Sequence, residues 1–123
     1  MKTMMITVAA LAAIAAAAPA AAQDAAAGEK LFTQCKTCHS NVAGQNRIGP
    51  SLAGVVGRKS GTYAKFNYSP AMKGANLVWT EANLDTYLTK PQAFVKGTRM
   101  AFAGIPDAKK RKDVIAYLKT LKG

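Results

Sequence analysis

The 123-residue chain contains a single histidine, His39, only two cysteines, Cys35 and Cys38, and six Asp and Glu against 17 Lys and Arg. Each shortage excludes something. A structural zinc site takes four ligands, and Cys35, Cys38 and His39 make three, standing side by side without the loop that such sites close. The scarcity of acids leaves a formal net charge of +11. Nothing repeats internally, and no segment after residue 22 is apolar enough to cross a bilayer.

What is present begins with an N-terminus unlike the rest. "MKTMMITVAALAAIAAAAPAAAQ" has one positive charge at Lys2, an apolar run from about Met4 to Ala17, then Pro19 and small residues. That is the order of a secretory signal, with cleavage expected after Ala22. The segment has no twin-arginine pair, so the general export route is expected, and no cysteine near the cleavage site could take a lipid. The rival is an uncleaved anchor, since the stretch from Met4 to Ala22 carries no charge; its weak, alanine-rich hydropathy and its proline argue for cleavage. Residues 1–22 are therefore read as a removed signal and 23–123 as one small domain, delivered to the periplasm. Strong positive charge usually points to nucleic acid, but an exported chain meets acidic proteins or anionic membrane surfaces instead.

The chemistry lies in "CKTCH", residues 35–39. Export places it in an oxidising compartment, where paired thiols do not stay free. A thioredoxin-like disulfide would need a strand before the motif, and "DAAAGEKLFTQC" reads instead as a helix with Asp24 as a candidate N-cap. Cys-x-x-Cys-His is the attachment signal of c-type haem. Its two-residue gap lets both sulfurs reach the two vinyl groups on one porphyrin edge, and the adjacent imidazole can turn onto the iron. The cofactor read from the motif is one covalently held haem c.

With His39 used, no second histidine remains, so the sixth position is open or filled by a weaker ligand such as methionine. Two methionines follow residue 22: Met72 in "SPAMKGANL" and Met100 in "KGTRMAFAGI". Both sit in stretches with loop signals, which favour Met100 without excluding Met72.

The helices read independently. From Pro106 or Asp107 to Leu121, Val114, Tyr117, Leu118 and Leu121 recur at helical spacing and are expected to pack on the first helix, where Gly28 permits close approach and Phe32 offers an aromatic contact. "TEANLDTYLTK" starts at a Thr80 N-cap, stops before Pro91, and puts Leu84, Tyr87 and Leu88 on one face. There is little strand signal. The run "KKRK", 109–112, reads as a solvated face. Lys36, Lys96 and Arg99, nearer the motif and the Met100 loop, are better placed to form a docking rim.

"CKTCH", "IGPSLAGVVGRKSG", "YAKFNYSPAM", "LVWTEANLDTYLTKP" and "KGTRMAFAGI…DVIAYLK" together resemble the class I c-type cytochromes, that is, mitochondrial cytochrome c and its soluble bacterial relatives. The likeness runs through essentially the whole chain after the export segment. It implies an all-α, single-domain fold wrapped around one haem, with His39 as proximal and Met100 as distal iron ligand. It implies that the Pro50 carbonyl holds the His39 Nδ1–H, that Tyr87 and Thr98 lie beside the Met100 sulfur, and that Arg58, Tyr68 and Trp79 donate towards a propionate. The implied activity is single-electron transfer by a monomer, without catalysis, from a cytochrome bc complex to cytochrome c oxidase or a reaction centre. The rivals are a haem peroxidase or small-ligand binder with a labile sixth ligand, and a subunit or sensor with a fixed partner. Two departures from the family pattern stand out: Met72 replaces a commonly polar asparagine, and Gln34, Gln92 and Ala93 occupy places where the mitochondrial protein carries lysines.

Overall fold

The computed structural model describes residues 23–123, with Ala9 alone before them, so the expected signal segment otherwise lies outside the described residues. The helices are α1 (Ala25–Leu31), α2 (Pro70–Lys73), α3 (Glu81–Thr89), α4 (Pro91–Phe94) and α5 (Ala108–Thr120). α1 runs directly into a 3₁₀ turn, Phe32–Gln34. Among the described residues the only pairing of extended backbone is an antiparallel bridge between Lys59 and Val78, and no helix is long and apolar enough to cross a membrane.

Local chemistry explains where the three longer helices start. Asp24, Thr80 and Asp107 each hold extended backbone and accept a hydrogen bond from a first-turn N–H: those of Ala27, Asn83 and Lys110. Caps of this kind stabilise a helix by about 1 kcal/mol each. The two four-residue helices begin with proline, whose fixed φ and missing N–H suit a first helical position.

The largest helix–helix contact joins the two ends of the described chain, α1 on α5. A methyl group at Gly28 would overlap the Asp113 carbonyl and come within 3.0 Å of Tyr117 Cβ, so only glycine allows the backbones this close. Phe32 is fully enclosed, its ring centroid 5.0 Å from that of Tyr117. α5 buries a wider face than the sequence spacing marks, because Ile115 joins Val114, Tyr117 and Leu118, while Leu121 is half-buried just past the helix end.

Two polar ties lock this arrangement. The Asp113 carboxylate accepts from Lys109 Nζ at 2.6 Å and from the Asp24 backbone N–H at 3.0 Å, bridging α5 to the start of α1. Arg111 corrects the expectation of a solvated basic run. It is 9% exposed, donating to Asp85 on α3 at 2.8 Å and to the carbonyls of Ile105 and Pro106 at 2.9 and 2.8 Å. The physical reason is the free carbonyls ahead of α5: a planar guanidinium can serve them and a carboxylate at once. Lys109, Lys110 and Lys112 remain exposed.

The bond from Lys109, then that from Asp24, holds the Asp113 carboxyl below the usual carboxylate range. A depressed pKa stabilises the fold above the unfolded-state value and ceases to do so as pH falls through the folded one. The Asp113→Asn variant is therefore expected to be less stable than the parent at neutral pH and to converge on it in acid. Urea unfolding at the two pH values checks this.

Candidate functional site

The attachment motif continues the helical winding of α1 and its 3₁₀ turn. Phe32 O accepts from Cys35 N and Lys36 N, and Cys35 O accepts from Cys38 N at 3.1 Å and His39 N at 2.8 Å. The two thiols and the imidazole thus leave the backbone from successive turns. Burial, and then the neighbouring Cys38, pushes the Cys35 thiol up to about 11. A redox-active Cys-x-x-Cys needs the opposite shift, towards thiolate. Among the described residues no group of three or more His, Cys, Asp or Glu is brought together.

His39 is fixed from behind. Its Nδ1 lies 2.7 Å from the Pro50 carbonyl, which can only accept, so Nδ1 carries the proton and Nε2 keeps its lone pair. Burial pulls the imidazole pKa below its ordinary value and keeps the ring neutral, the form in which it ligates metal. The segment that supplies Pro50 is tied to the motif by Gly49 N to Cys38 O at 2.8 Å and Leu52 N to Ser40 O at 2.9 Å. Gly49 packs closely on the ring: a Cβ there would sit 2.7 Å from Nδ1 and overlap Cε1. Gly49 carries no motif in the sequence beyond the turn signal of the Gly-Pro pair within "IGPSL".

A second group forms on α3 and the segment after α4. Tyr87 OH and Thr98 Oγ1 are 2.8 Å apart and buried; the same Tyr87 hydroxyl is 4.0 Å from Met100 Sδ, and Met100 N approaches Thr98 Oγ1 at 3.4 Å. Met72, placed in a loop by the sequence, instead lies in α2 and is buried in the core. Ser69 caps that helix by accepting from Met72 N at 3.1 Å.

A third group is cationic. Arg58 donates to the Ser51 and Ala53 carbonyls at 2.9 and 2.5 Å, lies beside Tyr68, and sits 4.2 Å above the Tyr63 ring. It forms no ion pair with any carboxylate among the described residues, and its charge acts on His39. Tyr63, missed in the sequence, ties the region together: its OH accepts from Gly44 N and its N–H donates to Tyr68 OH. Trp79 packs its ring 4.9 Å from Tyr87, and its backbone N–H meets Arg58 O at 2.8 Å. Lys36, Lys96 and Arg99 are all exposed.

These residues fit a haem: two thiols and a neutral imidazole on adjacent turns, and a partly enclosed guanidinium with no carboxylate partner, as a propionate-bearing group requires. The family profile described as Cytochrome c matches residues 25–122. The chain belongs to the cytochrome c family. It is 49% identical to a cytochrome c2 of Rhodopila globiformis over 100 residues, covering 80% of this chain and 94% of that one. Identity to a cytochrome c2 of Rhodomicrobium vannielii is 44% over 124 residues, covering 100% and 99%. Among solved structures, cytochrome cH from Methylobacterium extorquens superposes with a TM-score of 0.76 at 49% identity, covering 79% of this chain and 98% of that one. The chain is accordingly a mono-haem electron carrier of all-α cytochrome c fold, its haem c bound covalently through its two cysteines.

The Tyr87–Thr98 pair is a testable part of this site. Tyr87→Phe and Thr98→Val each leave one buried hydroxyl without its partner and are expected to cost about 1–3 kcal/mol in the unfolding of the holoprotein. The double variant is expected to cost less than the sum, which a double-mutant cycle by guanidinium titration measures.

Proposed function

We propose that the protein is an exported, monomeric, periplasmic carrier that takes single electrons from a cytochrome bc complex and passes them to cytochrome c oxidase or a photosynthetic reaction centre. In this reading His39 Nε2 and Met100 Sδ would hold the haem iron. The observation that carries it is the Met100 sulfur, which lies 4.0 Å from a tyrosine hydroxyl that is itself bonded to Thr98, in a chain with no second histidine. Haem c, when bound, supplies an iron that gains and loses one electron.

The chain's own residues do the rest. The Pro50 carbonyl orients the His39 ring and raises its basicity by holding the Nδ1 proton. Met100, a soft thioether, favours the reduced state, and the enclosing apolar residues disfavour the extra charge of the oxidised one. Both effects raise the potential. With His39 and Met100 holding the iron in both states, little would reorganise on transfer. Arg58, Tyr68 and Trp79 donate towards a propionate, whose burial without donors would be costly. The exposed Lys36, Lys96 and Arg99 form a rim that steers the carrier onto acidic membrane complexes, acting mainly on association rate. Relatives carrying the name cytochrome c2 support this reading, and the Rhodomicrobium protein aligns across the N-terminal segment as well.

The test replaces each methionine by leucine. Met100→Leu is expected to lower the potential and let the reduced protein bind CO rapidly, while Met72→Leu leaves CO binding slow. Rapid CO binding in Met72→Leu alone would overturn the ligand assignment.

A further inference from the structure

Between α4 and α5 the chain has no regular structure, and its backbone is held at few points. Thr98 N reaches Val95 O at 3.0 Å and Ile105 N reaches Leu88 O at 2.7 Å. The carbonyls of Thr98 and Met100, between those points, accept no backbone N–H among the described residues. One side chain takes both: Gln92 Nε2 lies 3.0 Å from Thr98 O and 3.2 Å from Met100 O. A primary amide carries two diverging N–H bonds, so a single group can serve two carbonyls. Gln92 is the second residue of α4, and buried Pro91 before it fixes where the side chain starts.

We propose that Gln92 is a positioning residue that holds the Met100 sulfur in place by clamping the peptide groups on either side of Arg99 and Met100. The inference rests on the reading of Met100 as an iron ligand. Tyr87 and Thr98 hold this segment from inside, through side chains; Gln92 holds its backbone from outside. Among the described residues the other ties to this stretch are longer: Met100 N approaches Thr98 Oγ1 at 3.4 Å, and the guanidinium of Arg99 reaches Asn67 O only at 3.5 Å, the limit of a hydrogen bond. The departure from lysine at residue 92 then has a use beyond lost docking charge. A neutral carboxamide pins the loop without adding a cation.

The experiment uses the haem-loaded protein. Gln92→Glu keeps the shape and removes both donors; Gln92→Leu removes them without adding charge; Gln34→Glu repeats the charge change at an exposed glutamine elsewhere. Three signals are read: amide hydrogen exchange across 99–101, the sulfur-to-iron charge-transfer absorption of the ferric protein, and the rate of CO binding to the ferrous protein. Loss of two hydrogen bonds from an unstructured segment is expected to raise exchange and CO binding about tenfold in both Gln92 variants and to weaken the sulfur absorption, with Gln34→Glu unchanged. Parent-like behaviour in both Gln92 variants would overturn the inference. So would faster exchange with an unchanged CO rate, for the bonds would then hold the backbone but not the sulfur. Met100→Leu is measured alongside. A sulfur absorption that persists in it overturns the ligand assignment and the inference together, whereas its loss there, with silent Gln92 variants, overturns the inference alone.

Discussion

The hydrogen bond from His39 Nδ1 to the Pro50 carbonyl is the constraint on which the rest of the site depends. The chain has one imidazole, and this bond decides which of its nitrogens is free and which way the ring faces. Because the acceptor is a backbone carbonyl, the bond is secured by the path of the chain rather than by a side chain. The segment from Ser40 to Leu52 is organised to deliver it. Gly49 N and Leu52 N bond back to the motif, and the bare backbone of Gly49 lets the strip pass against the ring.

In the proposed reading His39 and Met100 serve opposite sides of the haem, and the fold shows how the two ends of the described chain are brought together. α1, which leads into the motif, packs on α5, which follows the Met100 segment. Arg111 on α5 then reaches back to Asp85 on α3 and to the Ile105 and Pro106 carbonyls, fixing the end of that segment. α3 packs on both α4 and α5 and carries Tyr87, with its ring against Trp79 and its hydroxyl against Thr98. The same tyrosine therefore joins the core, the Met100 segment and the neighbourhood of Arg58.

Much of this was legible in the sequence because it rests on short-range rules. The caps at Asp24 and Thr80, the helix start near Asp107 and the apolar spacing of α3 and α5 are local signals, and "CKTCH" is a spacing code whose chemistry needs no tertiary context. What escaped depends on contacts between distant segments. α2 and α4 are four residues long, too short to show a period, and they exist because a proline starts each and the core holds them. Arg111 was hidden in a run of cations because its carbonyl partners lie in an irregular segment. Gln92 and Tyr63 carry no motif, and their roles appear only when the carbonyls and N–H groups they meet are traced.

As proposed, a haem iron held by His39 and Met100 would pass electrons without opening to substrates. The most direct measurement is a redox titration of the purified protein with CO added to its reduced form. A high potential, a single one-electron step and no rapid reaction with CO are expected. A low potential accompanied by immediate CO binding would contradict the proposal and point to a ligand-binding or peroxidase-type haem instead.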